Sequence, residues 1–317
     1  MGSGALACPS LSRLAAEPGV SLVAVVTQPD RPRGRSLKVT PGPVKLLAQQ
    51  AGICVLSPAA VNAPEAVSSL RELKPELIAV AAYGQILKPD VLSIPPRGCV
   101  NVHASLLPRY RGAAPIQWSI ANGETCTGVT TFFMDAGMDT GDIILQIDVP
   151  VLSDDTGGSL GARLADEGAT LLLRTVAAIA GGTAKRRPQV SADATYARKL
   201  AKEDGRIDWT RPAREIGNRV RGFNPWPCCF TRLPAPAGAE ARAGTALRVL
   251  KAEVQAGSGP PGEVIDVGGN GPLVAAGRDA LRLLEVQPEG RNVMSGADYL
   301  RGRALKLGNV LDHEPAR

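Results

Sequence analysis

Short, nearly continuous apolar runs alternate with amphipathic stretches over the first hundred residues, and no other feature limits the possible folds as much. Val20–Thr27 reads VSLVAVVT, Ile53–Leu56 reads ICVL, Leu77–Ala82 reads LIAVAA and Cys99–Val102 reads CVNV. Runs of this length, rich in Val and Ile, predict strands buried on both faces. Between them, Pro43–Gln50 predicts a helix, Pro64–Leu73 sets Val67, Leu70 and Leu73 on one helical face, and a short helical turn begins at Val91. Strand–helix alternation predicts an α/β architecture, a Rossmann-like, mostly parallel sheet covered on both faces. Ligands of such sheets bind beyond the carboxyl ends of the strands.

The pattern then changes. Thr127–Met134 (TGVTTFFM) and Ile143–Val151 (IILQIDVPV) predict two strands joined by the long loop DAGMDTGD, Asp135–Asp142. Leu160–Ile179 predicts a long helix ended by Gly181-Gly182. A polar stretch without period follows. Pro212–Arg221 predicts one more helix, and short strands separated by PAPAGAEARAG, GSGPPGE and GGNGP predict a small, OB-like β-barrel. The expected organisation is a first domain over 1–182, a basic linker over 183–203 and a C-terminal domain over 204–317.

Charge is distributed unevenly. From Lys185 to Lys251 fifteen basic residues face six acidic ones, a local +9 that exceeds the +6 of the whole chain. A basic excess beside a small barrel favours a nucleic-acid partner, although a solvated basic surface is the plainer alternative. Aromatics are only 3% of the chain, which disfavours stacking platforms for single strands. Six cysteines without C-x-x-C spacing, and two histidines in all, leave little to build a zinc site and predict reduced thiols in a cytoplasmic protein. No apolar run approaches the ~20 residues of a membrane span, and the opening MGSGA lacks the charged start of a signal peptide. Gly2-Ser3-Gly4-Ala5-Leu6-Ala7 fits a loose G-x-G-x-x-A pattern, but a dinucleotide site needs a strand directly before it and only Met1 precedes.

The chemistry concentrates in NVHASLLPRYRG, Asn101–Gly112. Alternation along a strand points Asn101 and His103 to one side. An Asn amide can polarise a carbonyl, a His can donate to the same oxygen or move a proton, and a carboxylate such as Asp139 can fix the imidazole tautomer. The set suits attack on a small acyl carbonyl with a stabilised oxyanion. Taken singly, the histidine reads more readily as a satisfied hydrogen-bonding residue than as a catalyst, and DTGD more readily as a turn.

NVHASLLPRYRGAAPIQW followed by GVTTFFMDAGMDTGDIIL resembles the folate-dependent formyltransferase family, whose motif is N-x-H-x-S-L-L-P-x-x-R-G with a downstream D-x-G-x-D-x-G. VVTQPDRPRGR, TPGPVK, ARKLAKEDGRIDW and RGFNPWP resemble the branch of that family acting on methionyl-tRNA. The resemblance runs from Met1 to about Ala304. It implies formyl transfer from 10-formyltetrahydrofolate to methionyl initiator tRNA, without a metal, by a monomeric chain. It implies that Asn101, His103 and Asp139 are catalytic. Ser105, Leu106, Leu107 and Pro108, with the loop Tyr83, Gly84, Gln85, Ile86 and Leu87, would hold the folate. Asp30–Lys45 would contact the tRNA acceptor end through Arg31, Arg33, Arg35 and Lys38, joined by Arg186, Arg187, Lys199 and Arg206. Family members open with an apolar strand ahead of the segment matching MGSGALACPSL, so the first strand of the sheet is expected to be missing. Formyl transfer to a small amine, such as a purine precursor or an amino sugar, is the alternative activity, and a non-catalytic RNA-binding relative the alternative class.

Overall fold

The computed structural model describes residues 1–33, 38–233, 245–302 and 305–311. Arg35, His313 and the segment PAPAGAEARAG lie outside the described residues. The chain divides into two compact units. The first comprises residues 1–115, 126–150 and 161–197, and the second 116–125, 151–160 and 198–317.

In the first unit, strands β1 (Val25–Val26), β2 (Arg31–Arg33), β3 (Lys38–Thr40), β4 (Val55–Leu56), β5 (Ile78–Ala81), β6 (Cys99–His103), β7 (Arg111–Gly112), β8 (Cys126–Phe133), β9 (Ile143–Pro150) and β10 (Tyr196–Ala197) follow one another along the chain. Helices α1 (Cys8–Ala16), α2 (Pro43–Gln50), α3 (Pro64–Glu72) and α4 (Pro89–Leu92) lie among them. Helix α5 (Pro115–Ala121) and the long α6 (Gly157–Ala180) each include residues of both units. β1 pairs β4 in parallel, and β5-β6-β8-β9 form a sheet in which only β5 and β6 are parallel. The parallel part thus coincides with the strand–helix alternation, and the antiparallel part with the hairpin.

Strand alternation distributes the core. Ile78 and Val80 pack with Val67, Leu70 and Val91, while Ala81 joins Ala7, Leu11 and Val44. Cys99 belongs to the first cluster, and its neighbour Val100 packs with Leu172 and Ile179 of α6. Small Ala79 and Ala81 leave room for helices on that face. Full burial of a residue such as Val100 is worth about 1.5–3 kcal/mol.

The strand expected to be missing is represented by two residues. Gly2 bridges Ala81 in parallel, its N–H donates to Val26 O at 3.0 Å, and Ala81 N–H donates to Met1 O at 3.0 Å. Beneath them lies a cavity of about 440 Å³ whose lining includes Leu14, Leu22, Leu77, Leu172 and Ile179. The Met1 main-chain nitrogen takes a ladder position, donating to Ala79 O at 2.6 Å.

The expected linker contains regular structure. Arg187 exchanges backbone hydrogen bonds with Ile143, and β10 pairs β7 in parallel. Residues up to Ala197 fall in the first unit and those from Arg198 in the second.

The second unit holds α7 (Ala213–Gly222), β11 (Cys229–Arg232), β12 (Ala246–Gln255), β13 (Val264–Asp266), β14 (Leu273–Ala275), β15 (Ala280–Pro288), β16 (Met294–Ser295) and α8 (Gly296–Arg301). The strands form one antiparallel sheet in the order β11-β12-β15-β14-β13, with β16 added to β15. The antiparallel sheet expected of this domain is present, while among the described residues no pairing joins β11 to β13 to close it as the expected OB-like barrel. Ile216 and Val220, one turn apart, are the buried stripe of α7, which packs on β12 and β15.

Candidate active site

β6 is held on both sides, in parallel by β5 (Val80 opposite Asn101) and antiparallel by β8 (Phe132 opposite Asn101, Thr130 opposite His103). The backbone of Asn101 and His103 is therefore fixed, and alternation sends both side chains to one face. Asn101 is half-buried, and its side-chain amide has no hydrogen-bond partner among the described residues. A half-buried amide without an internal partner is available to a ligand.

His103 is buried, edge-on to the Phe132 ring at 6.5 Å. Its Nε2 lies 2.9 Å from Tyr110 O. A carbonyl only accepts, so Nε2 carries the proton and Nδ1 is the ring nitrogen left for chemistry. Nδ1 is 3.6 Å from Asp139 Oδ2, ion-pair range rather than a hydrogen bond.

Asp139 reaches this position from the β8–β9 loop with a left-handed backbone, φ 54°. Aspartate tolerates that conformation better than most residues. Asp135 Oδ1 organises the loop by accepting from Gly137 N at 3.0 Å and Thr140 Oγ1 at 2.7 Å. Asp139 Oδ2 also accepts from Gly112 N at 2.8 Å. Gly141 has no substitute here, since a Cβ would stand 1.7 Å from Phe133 O. The structure thus brings Asn101, His103 and Asp139 to one end of β6.

The other candidates differ in what they expose. Ser105 is fully buried, its Oγ donating to Arg109 O at 2.7 Å, and Leu107 is buried too, leaving Leu106 and Pro108 half-exposed. In the loop after β5, Tyr83 and Leu87 turn into the core, Gln85 bonds Val61 N at 2.8 Å, and Gly84 and Ile86 face solvent, Ile86 by 73%. Burial raises the Tyr83 hydroxyl to about 12. Because β5 and β6 run parallel, both segments leave the same carboxyl edge as His103.

Arg31 is exposed, 3.5 Å from Gln28 Oε1, and Arg33 stands opposite Lys38 in the β2–β3 register. Arg186 lies over the Phe133 ring at 3.9 Å, and Arg187 donates to Gln146 Oε1. In the second unit Lys199 is exposed, and Arg206, half-buried, forms a parallel bridge with Phe230.

Sequence reading missed Tyr110, whose carbonyl fixes the histidine, and Gln189, which bonds the Asp139 loop. Neither left a local signal, because main-chain acceptors have no residue type and the partners of Gln189 lie far away in sequence. All six cysteines are unpaired. Among the described residues no helix is long and apolar enough to cross a membrane, and no group of three or more His, Cys, Asp or Glu is placed to hold a metal.

Residues 5–176 match the formyl transferase family and residues 199–304 its C-terminal domain. The methionyl-tRNA formyltransferase of Geobacter metallireducens is 47% identical over 99% of this chain and 97% of its own. That of Geobacter sulfurreducens is 45% identical over 98% and 95%. Among solved structures, a sugar 3N-formyltransferase, WlaRD, superposes with a TM-score of 0.63 over 92% of this chain and 97% of its own, at 19% identity. An N-formyltransferase from Helicobacter canadensis does so with 0.62 over 89% and 97%, at 18% identity. At such identities the structures speak to the fold alone.

Proposed function

This chain belongs to the formyl transferase family, and we propose that it transfers the formyl group of 10-formyltetrahydrofolate to the α-amino group of methionyl initiator tRNA, the first step toward formylated initiation of translation. The observation that carries the chemistry is the convergence of an Asn101 amide unpartnered among the described residues, a tautomer-fixed His103 and Asp139 at one strand end. What carries the acceptor is full-length similarity to methionyl-tRNA formyltransferases. The six unpaired thiols suit a reducing cytoplasm.

The folate supplies an activated formyl group. Half-exposed Leu106 and Pro108 and exposed Gly84 and Ile86, at the edge shared by β5 and β6, fit a flat apolar ring system with polar edges. The acceptor amine must be neutral to attack. α-Amino groups titrate near ~7.7–8.0, and the neighbouring ester lowers this further, so much of it is ready at neutral pH.

Attack forms a bond from the amine nitrogen to the formyl carbon and moves charge onto the formyl oxygen. Asn101 donates its amide N–H to that oxygen. His103, with Nε2–H committed to Tyr110 O, accepts the surplus amine proton at Nδ1 and returns it to the folate nitrogen as that carbon–nitrogen bond breaks. Asp139 stabilises the imidazolium in between, and no proton or electron is left over.

Arg31, Arg33, Arg35, Lys38, Arg186, Arg187, Lys199 and Arg206 supply cations for tRNA phosphates. Neutralising about three to four phosphates weakens binding about 40- to 150-fold between ~50 and ~200 mM salt. The tRNA Kd should follow, and Lys199→Ala should reduce the logarithmic salt slope by about one. A Kd indifferent to salt would contradict this. The reading as a whole is tested by offering methionyl-tRNA and a nucleotide-linked amino sugar together with formyl donor; label should enter the tRNA, and label in the sugar instead would establish the small-amine alternative.

A further inference from the structure

We propose that Gln189 is a positioning residue for catalysis, coupling the buried Arg111 to the backbone of Asp139. The proposal rests on the formyl-transfer reading above. The Gln189 amide nitrogen donates to Asp139 O and to Gly141 O, both at 2.8 Å. Its oxygen accepts from Arg111 Nε at 3.0 Å and Nη2 at 2.7 Å. Both N–H groups and both lone pairs are used. The orientation is fixed, because a flipped amide would set oxygen against two carbonyls and nitrogen against a guanidinium.

Arg111 is 3% exposed, and this neutral amide is the partner of its guanidinium among the described residues. A hydrogen bond from a charged group is stronger than a neutral one, and it polarises the amide toward the loop carbonyls. The next residue, Gly112, holds the other end of Asp139 by donating its N–H to Oδ2 at 2.8 Å. One dipeptide, Arg111-Gly112, therefore fixes Asp139 twice: the carboxylate directly and the main chain through Gln189. The loop's internal bonds, from Asp135 to Gly137 and Thr140, leave the Asp139 carbonyl untouched. Without Gln189, among the described residues, a left-handed aspartate in a glycine-rich loop keeps its carboxylate contacts alone to hold it near His103.

Misplacement of a catalytic group by about 1 Å costs about 10²-fold in rate. Gln189→Ala should lower kcat by about that factor, with both KM values within about twofold, as expected for an interaction that matters only in the transition state. Gln189→Glu retains the Arg111 pairing but turns an acceptor toward the two carbonyls, and should lose at least as much. In an Asp139→Ala background, Gln189→Ala should cost nothing further in kcat, whereas a general structural defect would cost the same in both backgrounds. Hydrogen exchange at the Gly112 amide should accelerate about tenfold or more in Gln189→Ala. A kcat within threefold of wild type, or equal losses in the two backgrounds, would overturn the proposal. If the wild-type chain formylates nothing, the functional reading fails, and Gly112 exchange still decides the clamp: unchanged protection in Gln189→Ala overturns it.

Discussion

Asn101→Ala is expected to lower kcat about 10²–10³-fold, the usual cost of one oxyanion donor. The substitution removes no hydrogen bond within the described protein, since the side-chain amide has no partner there. The ladder on both sides of residue 101 is main chain and survives. Thermal stability should thus stay near wild type while single-turnover formyl transfer slows. His103→Ala should be at least as damaging to rate. It removes the proposed proton relay at Nδ1, a role worth about 10²–10⁴-fold, and leaves Tyr110 O without its imidazole donor. If both variants kept kcat within about threefold of wild type, the end of β6 would not be the catalytic centre.

The largest effect on stability is expected at Trp209→Ala. Trp209 is completely buried, its Nε1 donates to Thr231 Oγ1 at 3.1 Å, and a Cβ on Gly262 would touch its ring at 3.5 Å. Removing the indole leaves a cavity in close-packed surroundings and should cost about 3–5 kcal/mol. The urea midpoint of the second unit reports this, with Leu307→Ala as comparison. Leu307 is 66% exposed and should change stability by no more than about 0.5 kcal/mol. Equal midpoints for the two variants would show that Trp209 does not anchor the core of this unit.

Much of the first unit was legible because its signals are local. Pro43 at the start of α2 and the apolar spacing of Val67 and Leu70 in α3 mark helices within a few residues of their observed bounds. The hairpin around DAGMDTGD and the long α6 followed as directly. Val20–Thr27, read as one strand, shrinks to Val25–Val26. A strand persists only where a neighbour supplies a ladder: Val25 N–H finds Cys54 O, and Thr27 N–H finds Leu56 O, whereas Leu22 lines the cavity. Helix α1 carries a weaker signal: no side chain caps its start at Ala7, and only Leu11 and Leu14, three apart, mark its buried apolar face.

Barrel closure was not legible, because short strands with frequent turns describe an open antiparallel sheet equally well. At the candidate site, Asn101 and His103 could be placed together by strand parity alone. Asp139 stood only as a suitable carboxylate until the resemblance singled it out, being 36 residues beyond His103 and joined to it through a loop fold. Gln189 was silent: its partners Arg111, Asp139 and Gly141 are 48 to 78 residues away.

The central claim meets its most direct test in formyl transfer to methionine carried on initiator tRNA compared with methionine on elongator tRNA, using 10-formyltetrahydrofolate and the full chain. The expected result is N-formylmethionine on the initiator, one tetrahydrofolate released for each formyl group transferred, and a much lower kcat/KM for the elongator. Release of tetrahydrofolate with no formyl group on either tRNA, or equal kcat/KM for both, would contradict the assignment of initiator tRNA as the acceptor.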